Sequence, residues 1–98
     1  MGHKIVFNGR YGGFFLDKDI IDRYNELAGT NYIDNWDMND VPRHDKFLVQ
    51  AVAEYKASGK KTDLFIDYIE GNLYKIDEYD GLETVIEPGD INWIEIEE

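Results

Sequence analysis

Tyr74-Lys75-Ile76-Asp77-Glu78-Tyr79-Asp80-Gly81-Leu82-Glu83-Thr84-Val85-Ile86 is the stretch that decides the fold. Two β-prone runs meet at Asp80-Gly81, and Asp-Gly between such runs is the strongest short-range hairpin signal. A two-residue turn there sets Tyr79 opposite Leu82, Glu78 opposite Glu83 and Ile76 opposite Val85. The side-chain period in this region is two, the period of a strand.

Working outward, the same period covers Leu64–Ile69, Leu73–Tyr79, Leu82–Glu87 and Ile91–Ile96, with turns at Glu70-Gly71-Asn72 and Pro88-Gly89-Asp90. Before Asp63 the period is helical. Ile20, Ile21, Tyr24, Leu27 and Ala28 recur at helix spacing behind Asp17, an N-cap residue, with Asp19 and Asp22 in the first turns and Gly29 as the stop. That predicts a helix over 18–28. Phe47, Leu48, Ala51, Val52 and Tyr55, opened by Asp45 or His44 and closed by Gly59, predict a second over 46–58. Lys4-Ile5-Val6-Phe7 reads as a first strand, and residues 30–44, with Trp36 among Asx residues, read as a long loop. The expected fold is α+β, order β-α-α-β-β-β-β: one domain over residues 1–98, with two helices packed on a mainly antiparallel β-meander.

Composition narrows the function classes. The chain has no cysteine, so disulfides, thiolate metal sites and cysteine nucleophiles are excluded. No apolar run approaches the roughly 20 residues that span a bilayer, and residues 1–7 do not resemble a signal peptide. Cytoplasmic residence is the expectation. The net charge is −11, and nine acids balance nine bases over residues 1–62. Residues 63–98 carry twelve acids against Lys75 alone, so the whole excess lies there. Such a field repels nucleic-acid phosphates and anionic membranes and draws in basic partners.

Four constellations carry chemistry. Asn8-Gly9-Arg10-Tyr11-Gly12-Gly13-Phe14 joins a strand to a helix, where phosphate loops sit. It lacks both the Walker lysine and a GxGxxG, and Asp17 and Asp19 would oppose a phosphate, so a tight packing bend is the favoured reading. Arg43-His44-Asp45 holds an imidazole beside an acid, but its place favours helix capping, with Arg43 pairing to an acid of the meander. No zinc or calcium pattern is complete, and neither a metal nor a cofactor is expected. The acids Asp77, Glu78, Asp80, Glu83 and Glu87 lie on the meander, where Glu78 opposite Glu83 is a repulsive cross-strand pair; they read as a solubilising face that discourages edge-to-edge pairing or as a binding face for a basic partner. The aromatics Tyr11, Phe14, Tyr32 and Trp36 lie in loops, where aromatic side chains mark contacts.

Three of these stretches together resemble a family of small uncharacterised proteins of bacteriophages, giant viruses and some bacteria. They are Tyr11-Gly12-Gly13-Phe14, Arg43-His44-Asp45-Lys46-Phe47-Leu48-Val49, and Tyr74 to Glu83 as Tyr-x-Ile-x-Glu-Tyr-Asp-Gly-x-Glu. The chain departs from the pattern in its longer Trp36 loop and in ending on Asn92-Trp93-Ile94-Glu95, where the family often has a basic or histidine-containing end. No established activity comes with the resemblance; it implies a phage or mobile-element origin.

The expected function is therefore a non-enzymatic acidic binding protein that occupies a basic, nucleic-acid-binding surface of a host or defence protein, for example as an anti-CRISPR inhibitor. Asp77, Glu78, Tyr79, Asp80, Glu83, Glu87, Trp36 and Tyr11 would form its partner face. The alternative is a small-ligand or nucleotide module using the 8–14 turn, with Asn8, Arg10, Arg43 and His44. A hydrolase built on His44, Asp45 and the meander carboxylates ranks third.

Overall fold

The computed structural model describes residues 2–71 and 73–88. Its elements are β1 (His3–Asn8), α1 (Lys18–Ala28), a 3-10 turn (Asp37–Asp40), α2 (Lys46–Ala57), β2 (Leu64–Ile69), β3 (Lys75–Tyr79) and β4 (Leu82–Ile86). The fold is α+β, with the strands antiparallel. The strand expected at 91–96 lies outside the described residues.

The antiparallel pairs do not form one continuous ladder. β1 pairs with β2, from His3 opposite Ile69 to Asn8 opposite Leu64, and β3 pairs with β4 in a separate sheet. The β3–β4 register places Ile76 opposite Val85, Glu78 opposite Glu83 and Tyr79 opposite Leu82, as the Asp-Gly turn requires. Asp80 and Gly81 have φ of 52° and 87°, the positive values a type I′ turn needs at both central residues.

Alternation along the β1–β2 sheet feeds two cores. Val6, Leu64 and Ile66 face the helices and join Leu16, Ile20, Ile21, Tyr24, Leu48, Ala51 and Val52. Ile5, Phe7 and Ile69 face the opposite way and meet Ile76 and Val85 of the hairpin. The order of layers is thus helices, central sheet, hairpin. No helix among the described residues is long and apolar enough to cross a membrane.

Residues 30–44 are a more built segment than the sequence implies. Met38 and Val41 are core residues. The backbone is tied down by side chains: the Asn25 carboxamide accepts from the Tyr32 N–H at 2.9 Å and donates to the Tyr32 carbonyl at 2.8 Å. Asn35 accepts the Leu16 N–H at 3.0 Å. Such side-chain bonds to backbone replace a ladder and leave no periodic trace.

Asp45 caps α2 by accepting from the Phe47 and Leu48 N–H groups at 2.9 and 3.2 Å. Its other oxygen accepts from the Tyr24 hydroxyl at 3.1 Å. Burial, and then the bond to Asp45, push the Tyr24 pKa from 10 up to about 12. A pKa raised on folding gives a stabilisation that is complete below pH 10 and disappears as the pH rises through about 12. Tyr24→Phe is expected to cost about 0.5–1.5 kcal/mol at neutral pH and to flatten the alkaline limb. Denaturant titrations between neutral pH and pH 12 read both; an alkaline limb unchanged by the substitution would assign it to other groups.

Candidate functional site

The hairpin turn, the glycine-rich turn and the Trp36 loop meet at one end of the molecule. Gly81 lies against the backbone of Gly12 and Gly13, so close that a Cβ on Gly81 would fall 2.7 Å from the Gly12 nitrogen. The turn after β1 carries two adjacent glycines because both adopt positive φ, 115° and 93°. The approach of Gly81 sets Tyr11, 61% exposed, beside the hairpin tip. Trp36, 82% exposed, stands across a cleft of about 330 Å³ from Glu78, with Phe14, Leu16 and Met38 among its lining residues.

Arg43 and Glu83 form the buried floor of that cleft. The guanidinium donates to both carboxylate oxygens of Glu83, at 2.6 and 3.0 Å, and stacks on the Phe14 ring at 3.5 Å. Glu83 also accepts the Asn8 N–H at 2.8 Å, and the Arg43 carbonyl accepts the Val6 N–H at 2.9 Å. These groups occupy the edge of β1 that faces away from β2. Among the described residues, a side-chain ion pair and a loop carbonyl stand there in place of a neighbouring strand.

The pair answers the repulsion expected between Glu78 and Glu83. Glu83 is only 6% exposed and is compensated from within, so the like-charge pairing requires no external base. Glu83 therefore does not belong to an accessible partner face. Glu87 is also set apart, at the end of the hairpin away from the tip, where it accepts the Glu70 N–H at 3.2 Å. Asp77, Glu78, Tyr79 and Asp80 are exposed at the tip, and alternation divides them: Asp77 and Tyr79 project from one face of β3, Glu78 from the cleft side.

Ion pairs and hydrogen bonds account for many of the remaining acids. Lys60 holds the Asp19 carboxyl below its usual range, and Arg23 does the same for Glu54. Asp22 pairs with Lys18 and Asp63 with Arg10. Asp34 and Asp37 accept backbone N–H groups of their own loop. Asp77, Glu78 and Asp80 have no hydrogen-bond or ion-pair partner among the described residues, and the rest of the sequence from Pro88 onward contains no Lys or Arg.

The four residues expected to hold a small ligand do not converge. The Asn8 carboxamide donates to the Arg10 and Gly81 carbonyls, both at 2.6 Å, and the residue is 1% exposed. Arg10 is at the surface with Asp63, and Arg43 is held by Glu83. His44 lies in a different cleft with His3, its Nδ1 2.7 Å from the Tyr74 hydroxyl. Among the described residues no group of three His, Cys, Asp or Glu side chains is placed to hold a metal ion.

Of the four loop aromatics expected to mark a contact, two have the exposure that such a role needs. Tyr11 and Trp36 are exposed, whereas Phe14 packs under Arg43 and Tyr32 lies 5.9 Å from the Tyr24 ring. The sequence reading missed Phe15 and Ile33, 63% and 78% exposed, which with Ile21 and Trp36 line an apolar groove of about 450 Å³ that adjoins the cleft at Trp36. Single apolar residues in irregular segments give no periodic signal. Comparison with family models, curated proteins and solved structures gives no match.

Proposed function

We propose that the chain is a non-enzymatic binding protein whose acidic, aromatic end engages a basic surface of another protein, of the kind that otherwise contacts nucleic acid. The observation that carries this reading is the contrast in pairing. The acids Asp19, Asp22, Glu54, Asp63 and Glu83 are each matched by an internal Lys or Arg, while Asp77, Glu78 and Asp80 at the hairpin tip are not. Unmatched carboxylates beside exposed Tyr79, Tyr11 and Trp36 combine long-range attraction with the aromatic contacts that dominate binding energy. The more specific version, a phage counter-defence inhibitor, is supported only by the motif resemblance.

Reversing Asp77 and Asp80 to lysine tests the site against bulk charge, with Asp67→Lys and Glu70→Lys as a control of equal net charge. With the partner recovered by tagged pull-down from the source cell, the tip variant is expected to associate at least roughly tenfold more slowly at low salt. The control should change far less, and the difference should shrink as salt rises. Equal losses in both variants would reduce the acidic end to a solubilising surface. A tip-reversed protein that still protects a phage at wild-type potency would end the counter-defence version.

A further inference from the structure

We infer that the cleft between Trp36 and Glu78 receives one arginine side chain of the basic partner, with its guanidinium stacked on the indole and paired to the carboxylate. The inference rests on the binding-protein reading and names the anchor within it. The cleft floor is the Arg43–Glu83 pair, whose charges cancel. Glu78 on its wall has no partner among the described residues. The uncompensated field is therefore negative, which favours a cation and opposes an anion. A volume of about 330 Å³ accepts one long side chain with some flanking backbone.

An indole face beside a free carboxylate suits guanidinium better than ammonium. Guanidinium is planar, stacks on aromatic rings and forks onto both oxygens of a carboxylate. The chain builds the same clamp one layer down, where Arg43 lies between Phe14 and Glu83. Adjoining the cleft at Trp36, the groove of Phe15, Ile21 and Ile33 offers an apolar neighbour site, so the partner segment carries an apolar residue near the arginine. A second copy of this chain is a poor occupant, because it would bring another net charge of −11 to the same face.

The test is a titration with the peptide acetyl-Gly-Leu-Arg-Gly-amide and its lysine and citrulline counterparts, read by indole fluorescence in a Trp93→Phe background so that Trp36 is the only tryptophan. The arginine peptide is expected to give a saturable shift in the millimolar range. The lysine peptide should bind roughly two- to fivefold more weakly, and the neutral citrulline peptide should give no saturable shift. Glu78→Gln should abolish the arginine preference. Trp36 and Glu78 are both exposed, so Trp36→Ala and Glu78→Gln should keep the wild-type melting temperature, and the indole N–H resonance confirms the site in the folded protein. Equal responses to arginine and lysine, or a response that survives Glu78→Gln, would overturn the assignment. If no peptide binds while reversal of Asp77 and Asp80 still slows association with the whole partner, the cleft is refuted and the binding-protein reading stands. If the peptide binds but tip reversal has no effect on partner association, that reading fails and the arginine cleft remains.

Discussion

Glu83→Ala is expected to lower stability by about 3–5 kcal/mol, while Glu78→Ala, directly opposite on the neighbouring strand, should change it by no more than about 0.5 kcal/mol. The two glutamates share a register position but not an environment. Glu83 is 6% exposed, accepts from both arms of Arg43 and holds the Asn8 N–H at 2.8 Å. Its removal leaves a largely buried guanidinium without a counter-charge and a buried N–H without an acceptor. Glu78 meets water, and its loss relieves a repulsion. Glu83→Gln should fall between them, since an amide oxygen can still accept from Asn8 while the charge pairing is gone. Urea midpoints at unchanged m-values measure all three. Similar losses for Glu78→Ala and Glu83→Ala would contradict the buried pair.

That asymmetry shows where the sequence is legible. The hairpin register could be read because Asp80-Gly81 fixes it locally, and the helices because Gly29, Asp45 and Gly59 punctuate a clear 3.6-residue period. The pairing of Arg43 with an acid of the meander was also expected, but not that the acid is Glu83. Which neighbours β1 would take was not legible. Its pairing with β2 spans most of the chain, and its second edge is closed by Arg43 and Glu83, groups that look in sequence like a cap and a surface acid. The Trp36 loop was opaque for a related reason: Asn25 and Asn35 hold it by side-chain bonds, so Met38 and Val41 reach the core without any repeat to announce them.

Of the residues expected from sequence to bind, Tyr11 is set beside the hairpin tip by the contact of Gly81 with Gly12 and Gly13, and Glu78 shares a cleft with Trp36. Gly81→Ala is therefore expected to cost about 2–6 kcal/mol, combining roughly 1–3 for a side chain at positive φ with a similar amount for overpacking. Gly12→Ala separates the two terms. Gly12 has φ of 115°, but a Cβ there meets nothing within 4 Å, so only the conformational part, about 1–3 kcal/mol, should appear. Gly81→Ala meets backbone atoms of Gly12 and Gly13, which have no side-chain rotamer with which to yield. The hairpin must then lift, and lifting it draws Glu83 away from Arg43 two residues on. Gly81→Ala and Glu83→Ala should for that reason be sub-additive in the double variant, as expected of changes that disrupt one shared contact. Chemical denaturation of the three single variants and the double variant measures each term. A Gly81→Ala loss no larger than that of Gly12→Ala, with full additivity alongside Glu83→Ala, would mean that the two turns do not touch and that the hairpin tip, Tyr11 and the Trp36 cleft are not one surface.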